Sequence, residues 1–211
     1  MLGRHLLFQS GPPIPVGEKW TFTSDGTWIA PADGNYKITL VGAGGKGGSG
    51  CEREERYRVS SGSCYVAGGS GSGGGGGAGQ TVVQTHLLKR DSALTITVGQ
   101  PNSNPSKVIG AVSLTANGGG TGGSARREGS RCPDMVIAGT VAANYGTGGS
   151  SGYVASSSSQ SPSGGAGKVS DYGNGYGQGG RGGRGEWDNG SYQGGANGSA
   201  GVCVIEYLGR R

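Results

Sequence analysis

The side chains that most often carry out catalysis are few in this chain and are not grouped. The chain has two histidines, His5 near the N-terminus and His86 within a predicted strand. No Ser-His-Asp or Cys-His grouping accompanies either of them, and aspartate and glutamate lie mostly in predicted turns. Because no nucleophile is paired with a base, the sequence predicts a protein that is not an enzyme and needs no cofactor.

The four cysteines do not indicate a metal site. Cys51, Cys64, Cys132 and Cys203 lack the spacing of metal ligands and are too sparse for a disulfide framework. Cys51 and Cys64 enclose a polar stretch, and their spacing leaves open whether they are bridged.

Two glycine motifs are similar to nucleotide-binding and RNA-binding motifs. The stretch 42–47, GAGGKG, follows a predicted strand, but a phosphate loop must open a helix and here more glycine follows. The stretch 181–185, RGGRG, resembles an RGG box, which can bind single-stranded RNA. A single such motif in an ordered glycine scaffold favours arginines that only project from the scaffold over an RNA-binding motif, so no nucleic-acid partner is expected.

Aromatic residues between the glycine runs are the strongest binding candidates. Tyrosine and tryptophan beside serine, asparagine and glycine are typical of recognition surfaces. We assign binding to the stretches 145–153 and 172–192, although some of their tyrosines are expected to cap glycine segments instead. The candidate residues are Tyr145, Tyr153, Tyr172, Tyr176, Arg181, Arg184, Trp187 and Tyr192.

The composition and charge limit the class of protein. The 211 residues include 51 glycines and 8 prolines, which by composition alone indicates low complexity, but the apolar residues cluster into strand-like runs. The net charge of +5 is too small to argue for nucleic acid by itself. No apolar run is long enough for a membrane span or for the core of a signal peptide, so we expect neither membrane insertion nor conventional export.

The apolar pattern predicts an all-β scaffold interrupted by glycine. In 35–41, Asn35, Lys37 and Thr39 alternate with Tyr36, Ile38 and Leu40, a period of two, and helical periodicity is absent throughout. Strands are predicted at 19–23, 27–29, 35–41, 81–88, 93–98, 108–116 and 202–208, with a short one at 135–141.

Two glycine-rich excursions, 42–79 and 117–201, interrupt this scaffold. We expect their glycines to form a bundle of left-handed extended helices with three residues per turn. The strict Gly-X-Y repeat of collagen is missing.

We interpret the first 17 residues as a docking arm and residues 18–211 as one glycine-rich β-sandwich domain. Leu6, Leu7 and Phe8 form an apolar triplet that could dock onto a partner, and a Pro-rich linker follows it. The alternative is a frayed terminus.

The order of the motifs resembles a known family. FTSDGTW, YKITLVGAGG, GGGGAGQTVV, LTITVG, LTANGGG and GVCVIEY follow one another between Trp20 and Leu208. This order is similar to the glycine-rich domain at the tips of bacteriophage tail fibres and adhesins. The family's closing strand is of the type GIVIIRY, from which Cys203 and Glu206 depart. The extracellular glycine-rich domain of anaplastic lymphoma kinase is similar in plan.

The resemblance implies a fold and a function. The fold would be a jelly-roll-like β-sandwich that carries a polyglycine II helix bundle. The protein would be a virion component, made in the host cytoplasm, whose loops between glycine runs bind a protein or glycan receptor on the host surface. The arm would contact other virion proteins, and a homotrimer is expected on a three-fold fibre. The alternatives are a purely structural collar, whisker or capsid fibre, and an RGG-type RNA-binding protein.

Overall fold

The computed structural model describes residues 13–50, 72–128, 135–137, 165–184 and 194–210. Over these ranges the chain is all-β, as predicted, and contains no helix, hence none that is long and apolar enough to cross a membrane. The strands β1 to β10 are Lys19–Phe22, Gly26–Ile29, Gly34–Val41, Thr81–Leu88, Ala93–Thr97, Ser106–Gly110, Leu114–Ala116, Arg126–Glu128, Met135–Ile137 and Val202–Gly209.

Two four-stranded antiparallel sheets enclose one hydrophobic core. Sheet A has the strand order β1-β10-β3-β4 and sheet B the order β2-β5-β6-β7, while β8 and β9 pair with each other. Tyr36, Ile38 and Leu40 of β3 are fully buried and share a cluster with Leu94 and Val108 of sheet B. The period-two pattern thus directs one side of each strand into the core between the sheets.

The N-terminal part of the described chain contacts the sandwich at the end where β10 finishes. Ile14 packs against the core, and the Gly17 N–H donates a hydrogen bond of 2.8 Å to the carbonyl of Tyr207, near the end of β10. The glycine-rich stretches join the opposite ends of the strands, after β3 and before β10. Residues 1–12, with the predicted docking triplet, lie outside the described ranges, so the arm stays a prediction.

The single strand predicted at 108–116 is wrong. β6 ends at Gly110 and β7 begins at Leu114, and the two pair antiparallel with Val108 opposite Leu114. Gly110 has a φ of 141°, a region that residues with a Cβ rarely occupy, so the chain can turn there. The sequence pattern also missed β8, whose charged residues give no strand signal.

Six glycine-rich segments lie against one another beyond the sandwich, and together we call them the bundle. We number them g1 to g6, and their ranges are 42–50, 72–80, 117–125, 165–170, 177–184 and 194–201. They belong to the two predicted excursions, and none of them is part of a β-ladder.

Hydrogen bonds between the segments recur every third residue. In g1, the N–H groups of Gly42, Gly45 and Gly48 donate to g2, and those of Gly44 and Gly47 donate to g6, all at 2.9 Å. The g2 acceptors run in the reverse chain direction, so g1 and g2 are antiparallel, whereas g3 and g5 run parallel to g1. Backbone groups that would be unpaired within one extended segment are therefore paired between segments.

The hydrogen-bond pattern fixes the cross-section of the bundle. Among the described residues, g1, g2 and g5 each share backbone hydrogen bonds with four other segments, and g3, g4 and g6 each with two. The segments g1, g2 and g5 also bond to one another. Six rods with these neighbours form a triangle whose corners are g3, g4 and g6 and whose sides have g1, g2 and g5 at their midpoints.

The segments need glycine because their backbones lie so close together. Gly177 is the only described segment glycine with a positive φ, so an unusual backbone conformation is not the general reason. A Cβ added to Gly45 would overlap the carbonyl oxygen of Gly120 in g3, and one added to Gly75 would overlap that of Ala166 in g4. At Gly194 the same addition meets no atom within 4 Å. Glycine is therefore required at these closest approaches, while small side chains such as those of Ala43 and Ala78 are buried elsewhere in the segments.

We expect Gly45→Ala to destabilise the protein. Extra methyl groups in packed cores cost about 1–3 kcal/mol, and here the obstacle is a backbone carbonyl that cannot rotate away, so the cost should lie at the upper end. Gly194→Ala is the control, and should change stability by less than about 1 kcal/mol, in the stabilising direction. Urea unfolding measures both, and equal losses in the two variants would contradict the packing described here.

Candidate binding surface of the bundle

The described ranges contain half of the predicted binding residues. Tyr172, Tyr176, Arg181 and Arg184 are described. The other four predicted residues are Tyr145, Tyr153, Trp187 and Tyr192, and they lie outside the described ranges, as do Cys51 and Cys64.

Tyr172 and Tyr176 lie in the turn 171–176, which joins g4 to g5. Their ring centroids are 6.4 Å apart at an interplanar angle of 52°, and both side chains are half-buried. Three consecutive residues with positive φ, 173–175, form the turn, and the Tyr172 N–H donates to the Ser170 hydroxyl at 3.2 Å. The Gly-Asn-Gly sequence, which tolerates positive φ, thus holds two aromatic rings side by side.

Arg181 and Arg184 lie on the outer side of g5. A Cβ added to Gly179 or Gly182 would meet g2, and one added to Gly180 would meet g6. The remaining third of the positions, which includes both arginines, points away from the other segments. Both arginines are exposed, and neither forms an ion pair within the described ranges. Their guanidinium groups are therefore open to a ligand.

The tyrosine pair and Arg184 lie at opposite ends of the bundle. Gly177, beside Tyr176, donates to the carbonyl of Ala200 at 2.8 Å, where g6 returns to the sandwich. Gly183, beside Arg184, donates to the far part of g1 at 2.7 Å. An extended segment advances about 3 Å per residue, so the distance from Tyr176 to Arg184 is about 25 Å. A ligand that contacts both must lie along g5.

The chain leaves the bundle three times at the end away from the sandwich. Segments g1, g3 and g5 run outward from the sandwich, and g2, g4 and g6 run back. The connections 51–71, 126–164 and 185–193 therefore each join an outgoing segment to a returning one at that far end. The four predicted binding residues outside the described ranges belong to the second and third connections.

A buried serine fixes the bundle to the sandwich. Ser106 is fully buried; its hydroxyl donates to the carbonyl of Val41 at 2.6 Å and accepts from the Gly99 N–H at 2.9 Å. The Gly201 N–H donates to the Gly99 carbonyl at 2.8 Å. The ends of β3 and β5 and the start of β10 are thus tied at one point. Nothing in the sequence distinguishes this serine from the others.

The loop between β5 and β6 holds g1 from the side. The N–H groups of Asn102 and Ser103 donate to the carbonyl of Gly44 at 3.2 and 3.1 Å, and the Ala43 N–H donates to the carbonyl of Asn104 at 3.1 Å. Asn102 and Ser103 have φ values of 76° and 75°, which the Pro/Asn composition of the loop accommodates in part. The bundle is therefore attached through side contacts as well as through the chain ends.

The stretch 42–47 does not have the arrangement of a phosphate loop. The N–H groups of Gly42, Gly44, Gly45 and Gly47 donate to g2 and g6, and the stretch continues as extended chain to residue 50, where this described range ends. A phosphate loop needs main-chain N–H groups that are free to cradle oxygen atoms, and here they are occupied.

Four ionisable side chains of the sandwich, those of Asp33, Tyr36, Cys203 and Glu206, have shifted pKa values with structural causes. Burial raises the pKa of the Cys203 thiol to about 12, which keeps it protonated and unreactive. The hydrogen bond from Lys37 lowers the pKa of the Glu206 carboxyl on the outer face of sheet A. Within the described ranges, no group of three or more His, Cys, Asp or Glu side chains could hold a metal ion.

The sequence matches no known protein-family model, and no curated protein matches it either.

We expect Ser106→Ala to loosen the connection between the sandwich and the bundle. The change leaves the buried Val41 carbonyl and Gly99 N–H without their partner, and a buried unpaired polar group costs about 1–3 kcal/mol. Ser113→Ala, at an exposed position, is the matched control and should be close to neutral. Hydrogen exchange of the g1 amides, measured with urea unfolding, would test this. Unchanged exchange in Ser106→Ala would contradict the role given to this serine.

Proposed function

We propose that this protein attaches a bacteriophage to its host, as a tail-fibre tip or adhesin protein that binds a bacterial surface receptor without catalysis. The observation that carries the proposal is that the N-terminal residues and the three connections of the bundle lie at opposite ends of the molecule. The N-terminal residues meet the sandwich at one end, and three connections leave the bundle at the other. An attachment protein needs one end for its own particle and one for its target.

In this proposal the bundle is made of polyglycine II helices and the sandwich is jelly-roll-like. Hydrogen bonds between segments that recur every third residue support the first part, because this helix has three residues per turn and no internal hydrogen bonds. The pairing of the first and last strands, β1 and β10, beside β3 supports the second. A jelly roll is built from two Greek keys. The sandwich departs from that pattern in sheet B, where the consecutive strands β5, β6 and β7 are direct neighbours.

The receptor, a protein or a glycan, would contact the far-end connections and the outer side of g5. Apart from the paired strands β8 and β9 in the second connection, we expect the connections to be constrained only at their ends, so that their sequence can change without refolding the bundle. Aromatic and arginine side chains are typical binding hot spots. The outward arginines of g5, which form no ion pair with another described residue, support this assignment.

The same proposal includes assembly into a virion as a homotrimer, made in the host cytoplasm, without nucleic-acid contact. Leu6, Leu7 and Phe8 would dock onto other virion proteins. The core is thin for the length of the chain, which favours stabilisation by neighbouring copies. Light scattering of the purified chain should give the mass of three copies, and a stable monomer at micromolar concentration would count against the trimer.

Adsorption to bacterial cells tests the attachment function. We expect Trp187→Ala to weaken adsorption by about 2 kcal/mol or more and to leave thermal unfolding unchanged, because Trp187 lies outside the predicted strands. Ile38→Ala is the control: it removes a fully buried side chain and should cost about 2–5 kcal/mol of stability.

The outcomes separate the possible roles of Trp187 and of the protein. If Trp187→Ala adsorbs normally but unfolds much earlier, the residue is structural and the binding surface lies elsewhere. If the unmodified protein adsorbs to no bacterium but is required for particle assembly, the attachment function is wrong.

A further inference from the structure

The six glycine-rich segments carry most of the net charge of the protein. They make up less than a quarter of the 211 residues, yet they hold four of the 18 Lys and Arg residues and none of the 13 Asp and Glu residues. They therefore supply +4 of the net charge of +5. Asp171 precedes g5 in the turn 171–176, and Glu186 follows g5 outside the described ranges. A surface of one charge sign attracts ligands of the opposite sign.

One side of the triangle is formed by g4, g5 and g6, and we call it the arginine face. Its segments hold three of these four cations: Lys168 of g4, which is half-exposed, and Arg181 and Arg184 of g5, which are exposed. The Gly182 N–H donates to g4, and the Ala196 N–H of g6 donates to the carbonyl of Arg181, both at 2.8 Å. Ala166 and Ala196, which flank Arg181 in the neighbouring segments, are small and exposed. Within the described ranges Arg181 thus has a small alanine beside it in each neighbouring segment, while the exposed Val169 of g4 lies one repeat nearer the sandwich.

The spacing along the arginine face is regular. Arg181 and Arg184 are three residues apart, hence about 9 Å along the segment and on the same side of it. Gln178 lies one repeat earlier, half-exposed, and its N–H donates to the Ser199 hydroxyl at 2.6 Å. The tyrosine pair lies just before this point. From the sandwich outward, the described part of the face therefore offers two aromatic rings, then amide and hydroxyl groups beside the exposed Val169 of g4, then two cations.

We propose that the arginine face binds an acidic polysaccharide, laid along g5 with its carboxylate or phosphate groups on Arg181 and Arg184. The proposal rests on the attachment function and names the chemistry of the receptor. A guanidinium group forms two parallel hydrogen bonds with a carboxylate or a phosphate. A polymer with acidic groups at regular intervals can meet both arginines at once, so its second contact forms at a high effective concentration.

The remaining features of the face fit a sugar chain better than a nucleic acid. Single-stranded nucleic acid needs a series of exposed aromatic platforms for its bases, whereas the two described tyrosines here pack on each other at one end. Hydroxyl and amide groups between the rings and the cations suit the hydroxyl groups of sugars. Lys46 occupies the corresponding outward position of g1, on another side of the triangle, and so it does not contribute to this face.

Binding of the full chain to defined polymers tests the proposal. The probes are polygalacturonate, which carries carboxylates, and phosphorylated dextran, with neutral dextran and single-stranded poly(dT) for comparison. We expect binding to both acidic polysaccharides. Salt should weaken it, because the Debye screening length falls from about 10 Å at 0.1 M to about 3 Å at 1 M. The double variant Arg181→Gln/Arg184→Gln should bind at least about tenfold more weakly and unfold at the same temperature, because both residues are exposed.

The matched control is Lys89→Gln/Lys107→Gln, which removes two exposed cations from the sandwich instead. It has the same net charge as the arginine double variant and should bind the acidic polysaccharides normally. Equal losses in the two double variants would mean that only net charge matters and would overturn the proposal. Tight binding of poly(dT) that depends on the same arginines would also overturn it. So would an arginine double variant that binds the acidic polysaccharides normally but self-associates, because the arginines would then serve to keep bundles apart.

The attachment function can fail separately from this inference. If the protein adsorbs to bacteria and the arginine double variant adsorbs equally well, the arginine face is not the receptor site and attachment stands. If the protein adsorbs to no bacterium but binds acidic polysaccharides through Arg181 and Arg184, attachment fails and the ligand chemistry stands.

Discussion

The absence of a Cβ atom at the inner positions of the six glycine-rich segments is the constraint on which the rest of the structure depends. Carbonyl oxygens of neighbouring segments occupy the space that side chains would need, as at Gly45 and Gly76. At this distance each segment can hydrogen-bond to several others. Glycine loses more conformational freedom on folding than any other residue, and the network of backbone hydrogen bonds offsets that cost in place of apolar burial.

Because of this constraint, the sandwich and the bundle are stabilised in different ways. The sandwich contains the hydrophobic core, from Trp28 to Tyr207, and can be stabilised as ordinary β-proteins are. The bundle has no comparable core, so its position relies on Ser106 and on the loop 100–105, which hold its first segment. Because two of every three positions in a segment face other segments, the third position carries nearly all of the chemistry that the bundle can offer.

The sandwich was far more predictable from the sequence than the surface was. Alternation of polar and apolar residues predicted β3 and β4 nearly to the residue, since one-sided burial imposes a period of two. The break between β6 and β7 was missed, because its signal is the positive φ of one glycine. Composition singled out the binding candidates, which stay predictions, but it could not predict that Tyr176 and Arg184 lie at opposite ends of the bundle. That separation depends on which segments run outward and which run back. Ser106 gave no signal at all, since its role arises only where three chain ends meet.

The three-residue recurrence ties the length of a segment to the direction of its side chains. Deleting one residue of g5 ahead of Arg181 would turn every later position by about a third of a turn and aim a side chain at a carbonyl oxygen of g2 or g6. Deleting three residues together would keep all directions. Within a segment, the gene can therefore lose or gain sequence only in steps of three codons. In the connections at the far end, outside the paired strands β8 and β9, the restriction to steps of three does not apply, so variation in length should accumulate there while the bundle keeps its register.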